Sequence, residues 1–382
     1  METTTADSKA VSVMGIKESE PIVHPTPAAA KTERNLALDA YRGLIMILLI
    51  SDGFGVGALI NNPTYHAIAY QFDHHWGKVV FYDLIMPAFL FMVGVAMPYA
   101  FARRTEQGAT PRGQFAHVLR WCVTLAFISE IWVSVDEQRA HLEVHNVLFV
   151  VAVTYLVCYF LMKLDWWKHA AIAVALLVLH SAVYLLFPGP GGAFTQHGNA
   201  GARLDQFLGL ARFNYPYLCV TFNLVGEIPS VLFGVWVGNL LRSGRPPAKQ
   251  ITIMAMGSVA AFALAPAFSP LVPINKWLWT STYTLFTTGW SILGLLVFIL
   301  LVDRLGVRKL MFPLLVAGLN PLFLYCLSAN GVSGWIDNTL ALFTGRFKFI
   351  GTVAPVAQSC AVLLVMWSLA YWLYKRRIFL RA

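Results

Sequence analysis

The feature that most constrains this chain is a series of ten apolar segments, each long enough to cross a bilayer. A helix needs about 20 apolar residues to cross the hydrocarbon core, so ten such helices use most of the 382 residues. The chain is therefore predicted to be all-α, a polytopic membrane bundle of about ten transmembrane helices. The predicted segments are 36–60, 79–101, 115–135, 144–163, 168–187, 221–241, 251–269, 279–302, 310–329 and 353–374.

The low content of charged residues supports one membrane domain without a large soluble partner domain. Charged residues make up 12% of the sequence, whereas soluble domains contain about 25%. Residues 1–34 are rich in Ala, Thr, Pro and Ser and contain no apolar run, so they are predicted to form a disordered cytoplasmic tail, with no cleaved signal peptide. Residues 35–382 then form the membrane domain.

The Lys and Arg residues fall mostly in alternate loops, and this pattern predicts the orientation. Cytoplasmic loops of membrane proteins are enriched in Lys and Arg. With both termini in the cytoplasm, all but seven of the 28 basic residues lie on the cytoplasmic side. The chain is thus predicted to be N-in and C-in, in the inner cell membrane. The same rule explains the net charge of +9, so nucleic-acid binding is not predicted. The seven exceptions are Lys78, Arg139, Arg203, Arg212, Lys276, Arg346 and Lys348.

The first apolar segment contains three charged residues that are costly at membrane depth unless they are paired or hydrated. Asp39 and Arg42 are three positions apart, on one face of a helix. They are either a structural ion pair near the cytoplasmic interface or a site where Arg42 binds a phosphate or cofactor. Asp52 precedes a glycine cluster near the exterior end, where it is either a solvated helix-end residue or a ligand contact.

The stretch 71–87, QFDHHWGKVVFYDLIMP, contains the strongest candidates for catalysis. His74 and His75 lie just before the second predicted helix and Asp83 lies in its first turns. Histidine can serve as an acid, base or nucleophile near neutral pH, and a nearby Asp can fix its tautomer. No further Cys, His or carboxylate stands at ligand spacing, so no metal site is predicted.

Several other polar residues occur within or beside the apolar segments. Hydrogen bonding between helices explains any one of them. Together they indicate a polar interior, which a pore or a buried substrate site requires. They are Glu130, Asn146, Asn223, Glu227, Asn275, Lys276 and Asn320.

Two motifs, LALDAYRGL (36–44) and DLIMPAFLFMVGVAMP (83–98), are specific in combination. PINKWLWTSTYTLFTTG (273–289) and GLNPLFLYCLS (318–328) fit the same pattern, with VHNVLFVVAVTYL (144–156) as weaker support. With these motifs the chain resembles the heparan-alpha-glucosaminide N-acetyltransferase family and its bacterial relatives, over essentially the whole membrane part. The resemblance implies a transmembrane acyltransferase that uses cytosolic acetyl-CoA to acetylate an amino sugar on the far side of the membrane.

The resemblance also implies roles for residues of this chain. The active-site histidine is expected in the first exterior loop, with Asp52 and Asp83 as acidic neighbours. Members of the family show His, two residues, Trp, one residue and Gly, whereas this chain has the shorter string His74-His75-Trp76-Gly77. The choice between His74 and His75 therefore stays open, and the preceding Gln71-Phe72 pair favours His74. The remaining residues implied are Asn275, Lys276 and Trp279 as lining of the site and Asn320 as interior support.

Three functional hypotheses follow for the chain. The first is an acetyl-CoA-dependent acyltransferase whose acceptor is an amino sugar or another envelope glycan. The second is a solute transporter or channel with a polar intramembrane path, and the third is a structural or regulatory membrane subunit. Arg103, Arg104, Arg242 and Arg245 either bind the CoA phosphates or follow the orientation rule alone. A monomer and a homodimer both remain open.

Overall fold

In the computed structural model all the regular secondary structure of the described residues is helical, and no β-strand occurs there. The described residues are 35–136, 144, 146–210, 221–329 and 331–379. The helices of the first half are α1 (Leu36–Ile50), α2 (His66–Tyr70), α3 (Ile85–Glu106), α4 (Pro111–Asp136), α5 (Val147–Leu161), α6 (Trp166–Leu186) and α7 (Ala200–Leu208). Those of the second half are α8 (Asn223–Leu241), α9 (Pro247–Phe268), α10 (Ser281–Ile299), α11 (Phe312–Leu319), α12 (Pro321–Ala329), α13 (Val332–Thr344) and α14 (Ala354–Lys375). The predicted tail, 1–34, lies outside the described residues.

Fewer helices than the ten predicted are long and apolar enough to cross a membrane. Within the described residues seven pass that test, or eight when α1 and the 3-10 segment Asp52–Leu59, bent by 47°, count as one span. The α5 helix has only 15 residues. The predicted segment 310–329 forms two short helices, α11 and α12, that meet at Asn320. Each of the ten predicted segments thus contains helix, but the count of ten spans is not established by helix length.

Local backbone chemistry explains the two breaks. Pro321 has no N–H group and its ring disfavours a helical conformation at Asn320, whose φ and ψ are −128° and 53°, so the helix breaks at this point. After α1, the four residues from Asp52 to Gly55 have φ values of 46°, 61°, 54° and 66°. Left-handed backbone of this kind ends a right-handed helix. Hydropathy does not register either break because both lie in apolar sequence.

The outer helices carry apolar side chains that no other part of the described chain covers. On α4, exposed apolar side chains recur every four residues, so they form one stripe along the helix. A stripe of this length would aggregate in water, whereas lipid chains cover it. The long apolar helices and this stripe together are typical of a multi-pass membrane protein. The stripe consists of Val123, Phe127, Ile131 and Val135.

The α3 and α8 helices cross so closely that glycine is required at the contact. A Cβ added to Gly94 would overlap the carbonyl oxygen of Val231, and one added to Gly234 would overlap that of Phe91. Small residues allow helix backbones in membranes to approach each other in this way. This crossing fixes α3, which begins just after Asp83, against α8.

We expect Gly234→Ala to destabilise the protein by about 1–3 kcal/mol, because the new methyl group meets backbone that cannot rotate away. Gly257→Ala is the matched control, since a Cβ there makes only ordinary contacts with Trp236 and Ile292. Thermal unfolding in detergent, followed by size-exclusion chromatography, measures both variants. Equal unfolding temperatures for the two would contradict this account of the crossing.

The helix contacts define two ends of the bundle. At one end, Tyr41, early in α1, meets Gly294 in the second half of α10, and Gly238, near the end of α8, meets Pro98 in the second half of α3. At the other end, the left-handed turn after α1 packs against the start of α14, where a Cβ on Gly55 would overlap the Pro355 carbonyl. The starts of α3, α8 and α10 lie at this second end, which is called the histidine end below because His74 lies there.

Candidate active site

Three side chains from distant parts of the sequence meet at the histidine end. His74 Nδ1 lies 2.8 Å from Asp83 Oδ1, and Lys276 Nζ lies 3.0 Å from the same oxygen. Lys276 Nζ is also 2.9 Å from His74 Nδ1 and 3.2 Å from Nε2. The three groups thus form a closed triangle, in which a carboxylate accepts from both basic side chains.

Asp83 is the buried member of this triangle. Its side chain is 1% exposed, whereas those of Lys276 and His74 are 18% and 34% exposed. The Val80 N–H donates to Asp83 Oδ2 at 3.1 Å, and the Tyr283 hydroxyl donates to the Asp83 backbone carbonyl at 2.6 Å. A carboxylate removed from water requires partners of this kind. Asp83 is therefore fixed from three directions, while His74 and Lys276 stay open to solvent on one side.

Lys276 lies on a tight turn that other side chains hold in place. The Asn275 side-chain oxygen accepts from the Trp277 N–H at 2.9 Å, and the Thr280 hydroxyl donates to the Pro273 carbonyl at 2.7 Å. Asn223, at the start of α8, donates to the Trp277 carbonyl at 3.0 Å. Asn275 thus shapes the turn that presents Lys276, and its side-chain oxygen does not face the histidine.

Aromatic side chains surround the imidazole of His74. The Tyr82 ring lies 5.3 Å from it and the Trp277 ring meets it edge-on at 5.8 Å. Trp76 stacks parallel to Trp277, with ring centres 6.5 Å apart. Flat aromatic faces beside an exposed base suit a substrate that offers both apolar and hydrogen-bonding surface. Hydropathy did not single out Tyr82 or Trp277, because aromatic residues are ordinary in apolar segments.

The structure separates the two adjacent histidines. His75 stacks on Tyr70 with ring centres 3.9 Å apart, and its Nε2 lies 3.3 Å from the Tyr70 carbonyl. Among the described residues this imidazole has no carboxylate partner such as the one that His74 has. Of the two candidates, only His74 is oriented by a buried acid.

Asp52 and Trp279 lie near the triangle without joining it. Asp52 is exposed at the start of the left-handed turn, and the Tyr82 hydroxyl contacts the neighbouring Gly53 backbone. Trp279 is buried against Gly226 and, edge to face, against Tyr283. Its φ is 45°, a left-handed conformation that costs about 1–3 kcal/mol in a non-glycine residue. Strain of this size occurs where the surrounding structure dictates a precise backbone path, here that of the turn bearing Lys276.

Comparison with known proteins gives a match for the part of the chain that contains the first residues of this site. Residues 34–200 match a family model described as a domain of unknown function (DUF5009). A search of curated proteins found no match. The matched region contains His74 and Asp83 but ends before Asn223 and Lys276. The site is thus assembled from the matched region and from the chain that follows it.

Arg42 and Asn320 lie at the opposite end of the bundle. Arg42 Nε donates to the Gly318 carbonyl at 2.8 Å and its Nη2 donates to Asp39 Oδ1 at the same distance. Asn320 donates to the Ile378 carbonyl at 3.2 Å. Arg42 thus binds a carbonyl left without its helical partner at the end of α11. Of the two alternatives for Asp39 and Arg42, these contacts favour the structural one.

The basic residues at this opposite end lie at the ends of α3 and α8, two helices whose starts lie at the histidine end. Arg103 and Arg104 lie in the last turn of α3, and Arg242 follows α8, where its guanidinium lies 5.7 Å from the Tyr99 ring centre. From Ile85 to Arg104 the helix rises about 28 Å at 1.5 Å per residue. The basic cluster and His74 are therefore separated by roughly the thickness of the hydrocarbon core.

Several buried polar atoms beneath the site have no hydrogen-bond partner among the described residues. Asn223 Oδ1, Glu227 Oε2 and Trp279 Nε1 are of this kind. Asn223 and Glu227 are four positions apart on one face of α8, and the residue before Glu227 contacts Trp279. Unpaired buried groups are costly, so this region suits a polar ligand or water.

The surface of the described residues has grooves, two of which bear on where the site lies. One, of about 360 Å3, is lined by residues adjacent to the triangle, including Gly77 and Ile274. The other, of about 330 Å3, lies between α6 and α7, and no predicted site residue lines it. His, Cys, Asp and Glu form no group of three or more suited to a metal ion anywhere in the described chain.

Proposed function

We propose that this chain is a membrane-embedded acyltransferase, which moves an acetyl group from cytosolic acetyl-CoA to an amino sugar or another envelope glycan on the exterior side. The observation that carries the proposal is the contact of His74 with the buried carboxylate of Asp83 and with Lys276. An imidazole fixed by a carboxylate is the arrangement of a general base or a nucleophile.

In this proposal each member of the triangle has a distinct task. Asp83 accepts a hydrogen bond from the Nδ1–H group of His74, which leaves Nε2 as the nitrogen that can take a proton from the acceptor. The Lys276 ammonium balances the carboxylate and donates a hydrogen bond to the oxygen that becomes negative when the thioester is attacked. Trp277 and Tyr82 offer flat faces to the acceptor.

The transfer itself has two routes. In direct transfer the acceptor amine attacks the thioester carbonyl carbon, His74 Nε2 takes the amine proton, and the C–S bond breaks. CoA then leaves as the thiol after taking that proton. In the stepwise route Nε2 attacks the thioester carbon, the C–S bond breaks, and CoA leaves as the thiolate. The amine then attacks the acetyl carbon, the bond to Nε2 breaks, and the proton that the amine loses converts the thiolate to the thiol. Both routes convert one thioester and one amine into one amide and one thiol.

The proposal includes an orientation in the membrane, with about ten spans and both termini in the cytoplasm. It puts the histidine end outside and the cluster of Arg103, Arg104 and Arg242 inside. Arginine binds phosphate groups well, so this cluster suits the CoA end of the donor, whose acetyl end must then reach His74 across the membrane. The uneven distribution of Lys and Arg along the sequence supports this orientation.

We expect Lys78→Cys, beside the histidines, to react with a membrane-impermeant maleimide on intact cells. Arg245→Cys, at the opposite end, should react only after permeabilisation. The parent chain, with its five native cysteines, gives the background signal. Labelling in the reverse order would remove the proposed transfer across the bilayer.

The activity is tested by measuring thiol release from acetyl-CoA by the purified protein, with a panel of envelope amino sugars as acceptors. The His74→Ala, His75→Ala double variant is the control and should release no CoA above background. Acceptor-dependent release that the double variant retains in full would contradict the proposal.

A solute path through the membrane is the second candidate, and the buried polar atoms around Glu227 favour it. A carboxylate in the interior without a partner among the described residues is typical of a route for ions or polar solutes. This function predicts flux into proteoliposomes without CoA consumption. It also predicts that flux survives in the double histidine variant and falls in Glu227→Gln.

A further inference from the structure

We propose that the acceptor is a lipid-linked amino sugar, whose hydrocarbon chain lies in the groove of about 360 Å3 beside the triangle. This inference rests on the proposed acyltransferase function and names its acceptor class. The groove is lined by Gly77, Val79, Ser269, Pro273, Ile274 and Phe286. A volume of this size is within the range of small-ligand sites.

The walls of the groove are the two segments that carry the triangle. Gly77 follows His74 by three residues, and Ile274 precedes Lys276 by two. A molecule held between these walls is therefore bound by residues only two or three positions from His74 and Lys276. The groove and the triangle are two parts of one site, one apolar and one polar.

The other end of the groove faces the bilayer. Phe286 lies five residues into α10, about 7.5 Å below its first residue at a rise of 1.5 Å per residue. Phe268 and Leu271, on either side of Ser269, are 54% and 61% exposed, as expected for side chains in contact with lipid. An acceptor chain can thus enter sideways from the membrane.

Two lysine side chains at the rim of the groove indicate how the hydrocarbon chain of the acceptor is joined to its sugar. Lys78 is exposed directly after Gly77, with its ammonium 5.9 Å from the Tyr70 ring centre. Lys276 lies on the facing segment. A phosphate that links a sugar to a lipid chain would lie between the apolar groove and the exposed imidazole of His74. The ammonium groups of Lys78 and Lys276 can bind a phosphate at this position.

The test compares two acceptors that differ only in their chain, the dodecyl and methyl esters of glucosamine 1-phosphate. Protein in lipid nanodiscs is supplied with acetyl-CoA, and thiol release gives KM for each ester. We expect Ile274→Trp and Ser269→Trp, which fill the groove, to raise KM for the dodecyl ester about tenfold or more and to leave that for the methyl ester unchanged. Leu271→Trp adds the same side chain on the lipid side and should change neither value.

The results separate the acceptor inference from the proposed function. If both esters are acetylated and neither groove variant changes KM for the dodecyl ester, the acyltransferase stands and the lipid-linked acceptor is wrong. If no ester or free amino sugar releases CoA, the proposed function fails. The groove is then judged by photo-crosslinking with a diazirine-bearing dodecyl ester. Binding of the dodecyl chain in the groove is supported if residues 77–79 and 273–274 are labelled saturably, and if Ile274→Trp removes this labelling whereas Leu271→Trp retains it. Labelling that does not saturate overturns the inference.

Discussion

Replacing His74 with alanine should lower the rate of acetyl transfer by about 10²–10⁴-fold, the usual contribution of a positioned acid or base. The same change at His75 should leave the rate close to that of the unaltered protein. The reason is the difference in their partners: His74 contacts the buried Asp83 carboxylate at 2.8 Å, whereas His75 stacks on Tyr70. The two side chains are adjacent and identical, so each variant controls for the other.

The measurement is thiol release from acetyl-CoA under saturating donor and acceptor, together with the unfolding temperature of each variant. Both variants should unfold near the temperature of the parent chain, because both imidazoles are partly exposed. Incubation with acetyl-labelled acetyl-CoA and no acceptor then distinguishes the two routes: label on His74 indicates the acetyl-histidine route. A rate that depends on His75 and not on His74 would place the catalytic centre elsewhere in the loop.

The contact of His74 with Asp83 could be predicted from the sequence, because the two residues are only nine positions apart. A carboxylate that opens an apolar helix needs a partner, and the histidines immediately before the helix were the nearest candidates. Lys276 is a different case, since it follows His74 by 202 residues. Composition and hydropathy give no signal for that contact, and only the resemblance to a known family pointed to it.

The breaks in the helices show where hydropathy alone fails. The left-handed turn from Asp52 to Gly55 and the break at Asn320 both lie in apolar sequence, so a window average passes over them. Gly53, Gly55 and Pro321 are the local signals for these breaks, but glycine and proline also occur within continuous membrane helices. The partners of charged residues are also hard to predict. Arg42 donates to the Gly318 carbonyl, and every residue has a backbone carbonyl, so the sequence does not indicate which one is the partner.

The pairing of Lys276 with Asp83 should affect stability as well as activity. In Lys276→Met the Asp83 carboxylate stays 1% exposed and loses its cation. Breaking a buried ion pair in this way costs about 3–5 kcal/mol. Asp83→Asn removes the charge that needs the partner, so the double variant Asp83→Asn, Lys276→Met should unfold at a higher temperature than Lys276→Met alone. None of the three variants should transfer acetyl groups, because each lacks part of the triangle.

The comparison with an exposed ion pair decides whether burial is the cause. Lys168 and Asp165 are 2.8 Å apart, a distance close to the 3.0 Å between Lys276 and Asp83, but their side chains are 41% and 61% exposed. Exposed pairs of this kind contribute little to stability, so the unfolding temperature of Lys168→Met in detergent should stay near that of the parent chain. If Lys276→Met lowers the unfolding temperature no more than Lys168→Met does, the Asp83 carboxylate becomes accessible to water when the lysine is replaced. If the double variant regains stability and also transfers acetyl groups, the triangle is a structural ion pair and the transfer chemistry lies elsewhere.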